Sequence, residues 1–200
     1  MKLVSTPRVE YLRTLATEIL NLNGRGRVIV AVDGADAAAR TAFADDLAAV
    51  LDEAEKPTYR ASLRYFQRSR EDIGRFGVDS PERFYRHGFD YSALRRVLLE
   101  PFRLGGSTGF VTQVFDPDRD SWIEPTWTTA PADAFLVIDG EFINRSELRD
   151  AWNYRILLES EATSETDYLY QKEERPRQVA SAVIDLSERH RPQRVFSDSC

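Results

Sequence analysis

Cysteine, histidine and methionine are almost missing from this chain. Its 200 residues include one Cys, Cys200, two His and one Met. A single thiol excludes an internal disulfide framework and fits a reducing compartment, so a cytoplasmic setting is expected. His87 and His190 have no second His or Cys at metal-ligand spacing and read as surface residues. No run of eighteen apolar residues occurs, so neither a membrane span nor a membrane partner is expected. The opening MKLVSTPRVEYLRTL lacks an apolar core followed by a small-residue cleavage site, so a secretory signal is not expected either. A basic excess is also absent. The formal net charge of −6 argues against a duplex nucleic-acid partner, which needs clustered Lys and Arg. What remains, 42% hydrophobic and 30% charged residues, is the balance of an ordinary globular chain. A single domain over 1–200 is expected, with no repeat and no low-complexity tract.

Element types alternate along the chain. Val9, Leu12, Leu15, Ile19 and Leu22 fall at helical spacing within 7–22. The β-branched run Val28-Ile29-Val30-Ala31-Val32 reads as a strand buried on both faces, as in parallel sheets. A helix is expected from Ala38 to Leu51 and a second strand from Thr58 to Leu63. Ser80 is a good N-cap and Pro81 suits a first helical position. A helix from Tyr91 to Leu99 should end at Pro101. Further strands are expected at Gly109 to Phe115, Ala134 to Ile138, Tyr154 to Leu158 and Val179 to Ile184. The spacing predicts an α/β fold, with a mostly parallel sheet flanked by helices in three layers. Its ligands should sit at the carboxyl ends of the strands. Residues 103–132 read as an inserted hairpin and loop, with Trp122 and Trp127 as its hydrophobic anchors. Residues 194–200 read as a flexible polar tail carrying Cys200.

The first strand runs into Asp33-Gly34-Ala35-Asp36-Ala37-Ala38-Ala39-Arg40-Thr41. A phosphate-binding P-loop sits at such a junction, as Gly, four residues, then Gly-Lys-Ser/Thr. Its glycines let backbone N–H groups wrap phosphate, its Lys reaches the outer phosphates, and its hydroxyl holds Mg²⁺. Gly34 and Thr41 stand at matching places, whereas Ala39 replaces the glycine and Arg40 the lysine. By itself this is equally the start of an alanine-rich helix.

A collinear series of segments extends the match. Val30-Ala31-Val32-Asp33-Gly34, Phe43-Ala44-Asp45, Arg60-Ala61-Ser62, Ser80-Pro81-Glu82-Arg83-Phe84-Tyr85, Phe89-Asp90-Tyr91 and Leu94-Arg95 are followed by Val137 to Phe142, Glu147-Leu148-Arg149 and Trp152-Asn153. This order, from about Val28 to Ile184, resembles the uridine kinase family. The resemblance implies a P-loop-type fold, a nucleoside pocket, and transfer of the γ-phosphoryl group of Mg-ATP to a 5′-hydroxyl. It further implies that Gly34, Ala39, Arg40 and Thr41 lie on the nucleotide side. Arg64, Tyr85, Asp90, Tyr91 and Asp139 would lie on the substrate side, and Thr41 and Asp139 would be the Mg²⁺ contacts.

Departures from the family pattern fall on its chemistry. Ala37 and Ala39 stand at glycine positions, where a methyl group is expected to strain the loop and obstruct phosphate. Arg40 keeps the lysine's charge but is a planar fork. Where the family has Ser-Val-Asp-x-Phe-His, with the aspartate as base and metal partner, this chain has Ser62-Leu63-Arg64-Tyr65-Phe66-Gln67. A cation there cannot accept a proton or attract Mg²⁺. Asn153 stands for the usual aspartate of a Trp-Asp pair, and Ser164 to Glu174 contains none of the family's lid arginines.

Each candidate has a plainer alternative. Asp139 is either a retained contact or a polar cap on its strand, and Thr41 either a metal ligand or a helix-start residue. Arg40 and Arg64 either converge on one anion or pair internally with Asp33, Asp36 or Asp139. Tyr85 and Tyr91 are equally packing residues. No catalytic residue is assigned, Arg40 and Arg64 standing at the degenerate positions, and no cofactor is expected unless the kinase works, when it would need ATP and Mg²⁺. The favoured expectation is a uridine kinase-like protein without phosphotransfer, binding a small anionic or nucleoside-like ligand or a protein partner. The alternatives are an active ATP- and Mg-dependent kinase using Arg40 for lysine, and a scaffold presenting its Cys200 tail.

Overall fold

Every residue of the apolar run that forms β1 (Val28–Asp33) is buried, because it lies between two neighbours in a sheet. The computed structural model describes residues 2–23, 25–162 and 164–196. The later strands are β2 (Thr58–Ser62), β3 (Phe115–Asp116), β4 (Ser121–Trp122), β5 (Phe135–Asp139), β6 (Tyr154–Glu159), β7 (Ala182–Asp185) and β8 (Gln193–Val195). Helices are α1 (Pro7–Asn23), α2 (Ala37–Glu53), α3 (Arg70–Gly74), α4 (Pro81–His87), α5 (Tyr91–Leu94), α6 (Glu100–Leu104), α7 (Glu165–Glu174) and α8 (Pro176–Val179).

Six strands form one sheet in the order β2-β5-β1-β6-β7-β8, parallel except for β8 against β7. The fold is therefore α/β with a mostly parallel sheet, and β1 is central. Alternation along β1 divides its side chains between two cores. Ile29 and Ala31 join Leu136, Ile138, Phe102 and Phe110 on one face. Val28, Val30 and Val32 meet Leu12, Ile19, Phe43 and Leu47 of α1 and α2 on the other. Asn153 pins the β1 edge of β6: its amide oxygen accepts from Ile29 N at 2.8 Å, and its own N–H donates to Ile29 O at 2.9 Å. No helix among the described residues is long and apolar enough to cross a membrane.

Ser80 caps α4 by accepting from Arg83 N, with Pro81 in the first turn. Several expectations need correction. Pro101 does not end the helix at Leu99. A π-helical segment, Arg95–Leu99, leads instead into α6 with Pro101 in its first turn. Proline removes the bond that Val97 O would have accepted four residues on, and Val111 N donates to that carbonyl at 2.9 Å. The stretch 109–115 is not a strand. It makes one antiparallel bridge, Phe110 to Thr128, and then the short hairpin β3–β4. Phe110 and Phe115 anchor this insertion in the core, while Trp122 and Trp127 are exposed, contrary to expectation. Val179 belongs to the helical turn α8 and not to β7. Residues 193–195, in part assigned to a flexible tail, form β8, and Cys200 lies outside the described residues.

Candidate functional site

The carboxyl ends of β1, β5 and β6 meet at the β1–α2 loop. Gly34 is required there by close approach: a Cβ would come within 3.1 Å of Leu158 Cβ on β6. Gly140 is tighter still, since a Cβ would fall 2.5 Å from Leu63 Cβ. From Ala37 onward the chain is plain α-helix. No residue of 35–41 has a positive φ, so the backbone strain expected at Ala37 and Ala39 does not arise. The loop avoids the conformation that would have demanded glycine.

Two of its own side chains occupy the start of α2. Asp36 is the N-cap, accepting from Ala39 N at 3.0 Å, and Arg189 pairs with its second oxygen at 3.0 Å. The Ala39 hydrogen bond chiefly holds the Asp36 carboxyl below its ordinary value. One of the N–H groups that would grip a phosphate, that of Ala39, is thus answered by a resident carboxylate. Arg40 is buried, and its guanidinium turns back to donate to Gly34 O in the same loop. Its Nε lies 3.5 Å from Asp139 Oδ2, an ion pair without a hydrogen bond.

Asp139, fully buried at the end of β5, is held from all sides. Arg60 Nη2 donates to Oδ1 at 2.8 Å, while Thr41 Oγ1 and Ser62 Oγ lie 3.2 and 3.3 Å from Oδ2. The pair Thr41 and Asp139 is therefore brought together, as the Mg²⁺ reading requires. Two guanidiniums on the same carboxylate nevertheless make a poor place for a divalent cation, and among the described residues no acidic or His/Cys cluster could hold a metal. For ATP, Arg40 bonds to Gly34 O and Asp36 caps Ala39 N, so two groups of the phosphate loop already have partners within it. Arg60, which sequence reasoning did not single out as a site residue, is the main partner of Asp139. Its signal was register: Ser62 is opposite Asp139 in the parallel pair, and Arg60 is one turn of the pleat away.

Arg64 and Arg40 have different side-chain partners, Asp118 and Asp139, among the described residues. Arg64 is half-exposed and makes two 2.8 Å bonds to Asp118 of the insertion, beside the ring of Tyr65. Asp90 is the N-cap of α5, accepting from Ala93 N at 2.9 Å. Tyr85 is wholly buried against Phe142, with Arg145 stacked 4.4 Å over its ring. The hydroxyls of Tyr85 and Tyr91 are both buried without a hydrogen-bond partner among the described residues. Burial pushes the Tyr85 hydroxyl up to about 12 and the Tyr91 hydroxyl up as well.

A cavity of about 440 Å³ lies on the other side of Gly34, beneath α7 and α8. Asp33, Glu141, Asp167, Tyr170 and Arg175 are among its walls. Asp33 is buried and accepts from Gly34 N at 2.8 Å, Asn144 Nδ2 at 2.9 Å and the Tyr170 hydroxyl. Burial pushes its carboxyl up to about 6 despite those hydrogen bonds. Burial also raises Glu141, opposed by the charge of Arg40 and reinforced by Asp167 and Asp33. Neither Glu141 nor Tyr170 stood out in the sequence, because their meeting depends on where the α7 helix folds back.

No protein-family model matches this chain. No curated protein matches it by sequence. Solved structures do match. One, a possible uridine kinase from Bacillus stearothermophilus, superposes with a TM-score of 0.75 at 18% identity, covering 88% of this chain and 96% of that one. A candidate fructose transport system kinase from Silicibacter sp. TM1040 gives 0.62 at 17%, with coverage of 84% and 91%. D-glycerate 3-kinase from Cryptococcus neoformans var. grubii gives 0.52 at 12%, with coverage of 84% and 83%. The fold is that of these kinases.

Proposed function

We propose that this kinase-fold protein does not transfer phosphoryl groups from ATP and acts by binding a small ligand at the carboxyl ends of its strands. The observation that carries the reading is Arg40, which stands at the lysine position yet bonds to Gly34 O and faces Asp139 instead of open space. A phosphate entering the loop would have to break both contacts and displace the Asp36 cap. The missing base points the same way, since Arg64 stands where the resemblance calls for a carboxylate. Loss of one charge-stabilising group commonly costs on the order of 10²–10³ in rate, and here several are absent together.

Titration calorimetry with Mg-ATP, alongside a uridine phosphorylation assay, tests this. No saturable heat and no product above background are expected. A micromolar dissociation constant, or turnover near ~1 s⁻¹ in the usual kinase range, would overturn it. The active-kinase reading draws on one observation, the 3.2 Å contact between Thr41 and Asp139, the two groups assigned to Mg²⁺. In that reading Mg²⁺ should raise the melting temperature by binding the native state.

A further inference from the structure

The chemistry of the cavity under α7 and α8 narrows the ligand class. At about 440 Å³ it has the size of an ordinary small-molecule site. Leu157, Leu158, Phe142 and Pro176 give it apolar wall. Its ionisable lining is unbalanced. Asp33, Glu141, Glu159 and Asp167 contribute carboxylates, against the guanidiniums of Arg175 and Arg177. Arg177 is already committed to Glu159 in an ion pair. Asp33 is satisfied by Gly34, Asn144 and Tyr170, and Asp167 belongs to the capping box of α7. Glu141 is different. It is half-buried, lines the cavity, and has no hydrogen-bond or ion-pair partner among the described residues.

A carboxylate removed from water without a partner is costly, and proteins normally pair it or neutralise it. Here the next residue is also held in an unfavourable conformation. Phe142 has φ 57°, in the left-handed region, where an aromatic residue is rare. Its ring is fixed edge-on to Tyr85 and Tyr170, each 5.2 Å away, so packing maintains the conformation that orients Glu141. The cavity therefore spends stability on presenting an unpaired carboxylate beside a second, buried one.

Resting on the ligand-binding reading above, we infer that this cavity binds a small organic cation, an amine whose ammonium group pairs with Glu141 and hydrogen-bonds toward Asp33. Polyanions are disfavoured by the same lining: a nucleoside triphosphate would bring its charge against four carboxylates. Apolar contact with Leu157, Leu158 and Pro176 suits the carbon skeleton of such an amine.

The test is calorimetry on the full chain with putrescine, its neutral counterpart 1,4-butanediol, and uridine. Putrescine should bind saturably, the diol should not, and affinity should weaken as salt rises. Glu141→Gln should lower putrescine affinity by at least about tenfold, 1.4 kcal/mol, without lowering the melting temperature. Affinity should also fall as pH is lowered in the wild type, as Glu141, facing Arg40, Asp167 and Asp33, takes up a proton, and this dependence should be weaker in Glu141→Gln, where only Asp33 titrates beside the ligand. Gln171→Arg, on the α7 side of the cavity, should abolish binding without touching Glu141. Saturable binding of uridine or the diol, lost in Gln171→Arg, with none of putrescine, would leave the ligand-binding reading standing and overturn the cationic class. Binding by none of the three probes would overturn the inference, while the ATP titration still decides the loss of phosphotransfer.

Discussion

Two carboxylates end adjacent structural runs in this protein and meet opposite fates. Asp139, at the end of β5, is fully buried and takes contacts from Arg60, Arg40, Thr41 and Ser62. Glu141, two residues on, lines a cavity and has no such partner among the described residues. At the phosphate loop, side chains of the loop itself stand beside a cavity of about 250 Å³ lined by Gly34, Ala35, Asp36 and Ala39, whereas the α7 side opens into one of about 440 Å³. Buried charges in the first place act as structure, because removing either member strands the other. An unpaired charge in the second place detracts from stability.

Substitution separates the two most sharply. Asp139→Ala leaves the buried Arg40 without its counter-ion and Arg60 with Asp45 alone. Breaking a buried pair typically costs about 3–5 kcal/mol, and the partial exposure of Arg60 favours the lower end. At roughly 2–4 °C per kcal/mol for a chain of this size, the melting temperature should fall by about 6–12 °C. Glu141→Ala should leave it unchanged or raised. Equal losses in a thermal melt would erase the distinction drawn between the two carboxylates.

Asp33 stands between these extremes, buried and hydrogen-bonded yet with its carboxyl pushed up to about 6. The unfolded chain releases this proton near pH 4, whereas the folded protein retains it until about 6. Ionising Asp33 therefore lowers stability as pH rises through that window. The cost is absent below it and constant above it, up to about 3 kcal/mol. The charged and titratable groups facing it are Arg40, Glu141 and Tyr170. Asp33→Asn loses acceptor capacity at every pH, but its stability relative to wild type should improve from pH 4 to pH 6.5. A difference independent of pH in denaturant melts would show that Asp33 ionises normally when folded.

The comparison also explains what the sequence disclosed. The sheet was legible because Val28 to Val32 and Phe135 to Ile138 are unbroken apolar runs, a pattern that only a doubly covered central strand needs. Ser80-Pro81 was legible because capping is local chemistry. β8 was not, since Gln193-Arg194-Val195 is an edge strand with little apolar signal and is set by pairing with β7. Pro101 misled because its missing N–H is compensated by Val111, ten residues away. At the site, the replacement of lysine by Arg40 was visible and Asp139 was among its expected partners, but the bond to Gly34 O was not foreseen. Arg40 was expected either to meet an anion with Arg64 or to bridge internally, and only the internal bridge to Asp139 forms. Asp118, the partner of Arg64, comes from the insertion. The lid cavity was illegible because Tyr170, Glu141 and Asp33 meet only when α7 folds over the strand ends.

The smallest expected effect probes whether the phosphate loop is closed by its cap alone. Asp36→Ala removes the side chain that answers Ala39 N, which typically costs about 1 kcal/mol. It also frees Arg189, at present paired with Asp36, beside the start of α2. A 17-residue helix with unanswered N–H groups and a nearby guanidinium favours an anion at that end. The variant should therefore be slightly less stable in chloride buffer and should recover part of that loss when inorganic phosphate is added, whereas the wild type should not respond. Mg-ATP should remain a weak ligand even then, because Arg40 still bonds to Gly34 O within the loop. If Asp36→Ala alone bound Mg-ATP at micromolar concentration, Arg40 would be a movable side chain and Asp36 the sole barrier. The closed side of the strand ends would then differ from the open side by a single carboxylate.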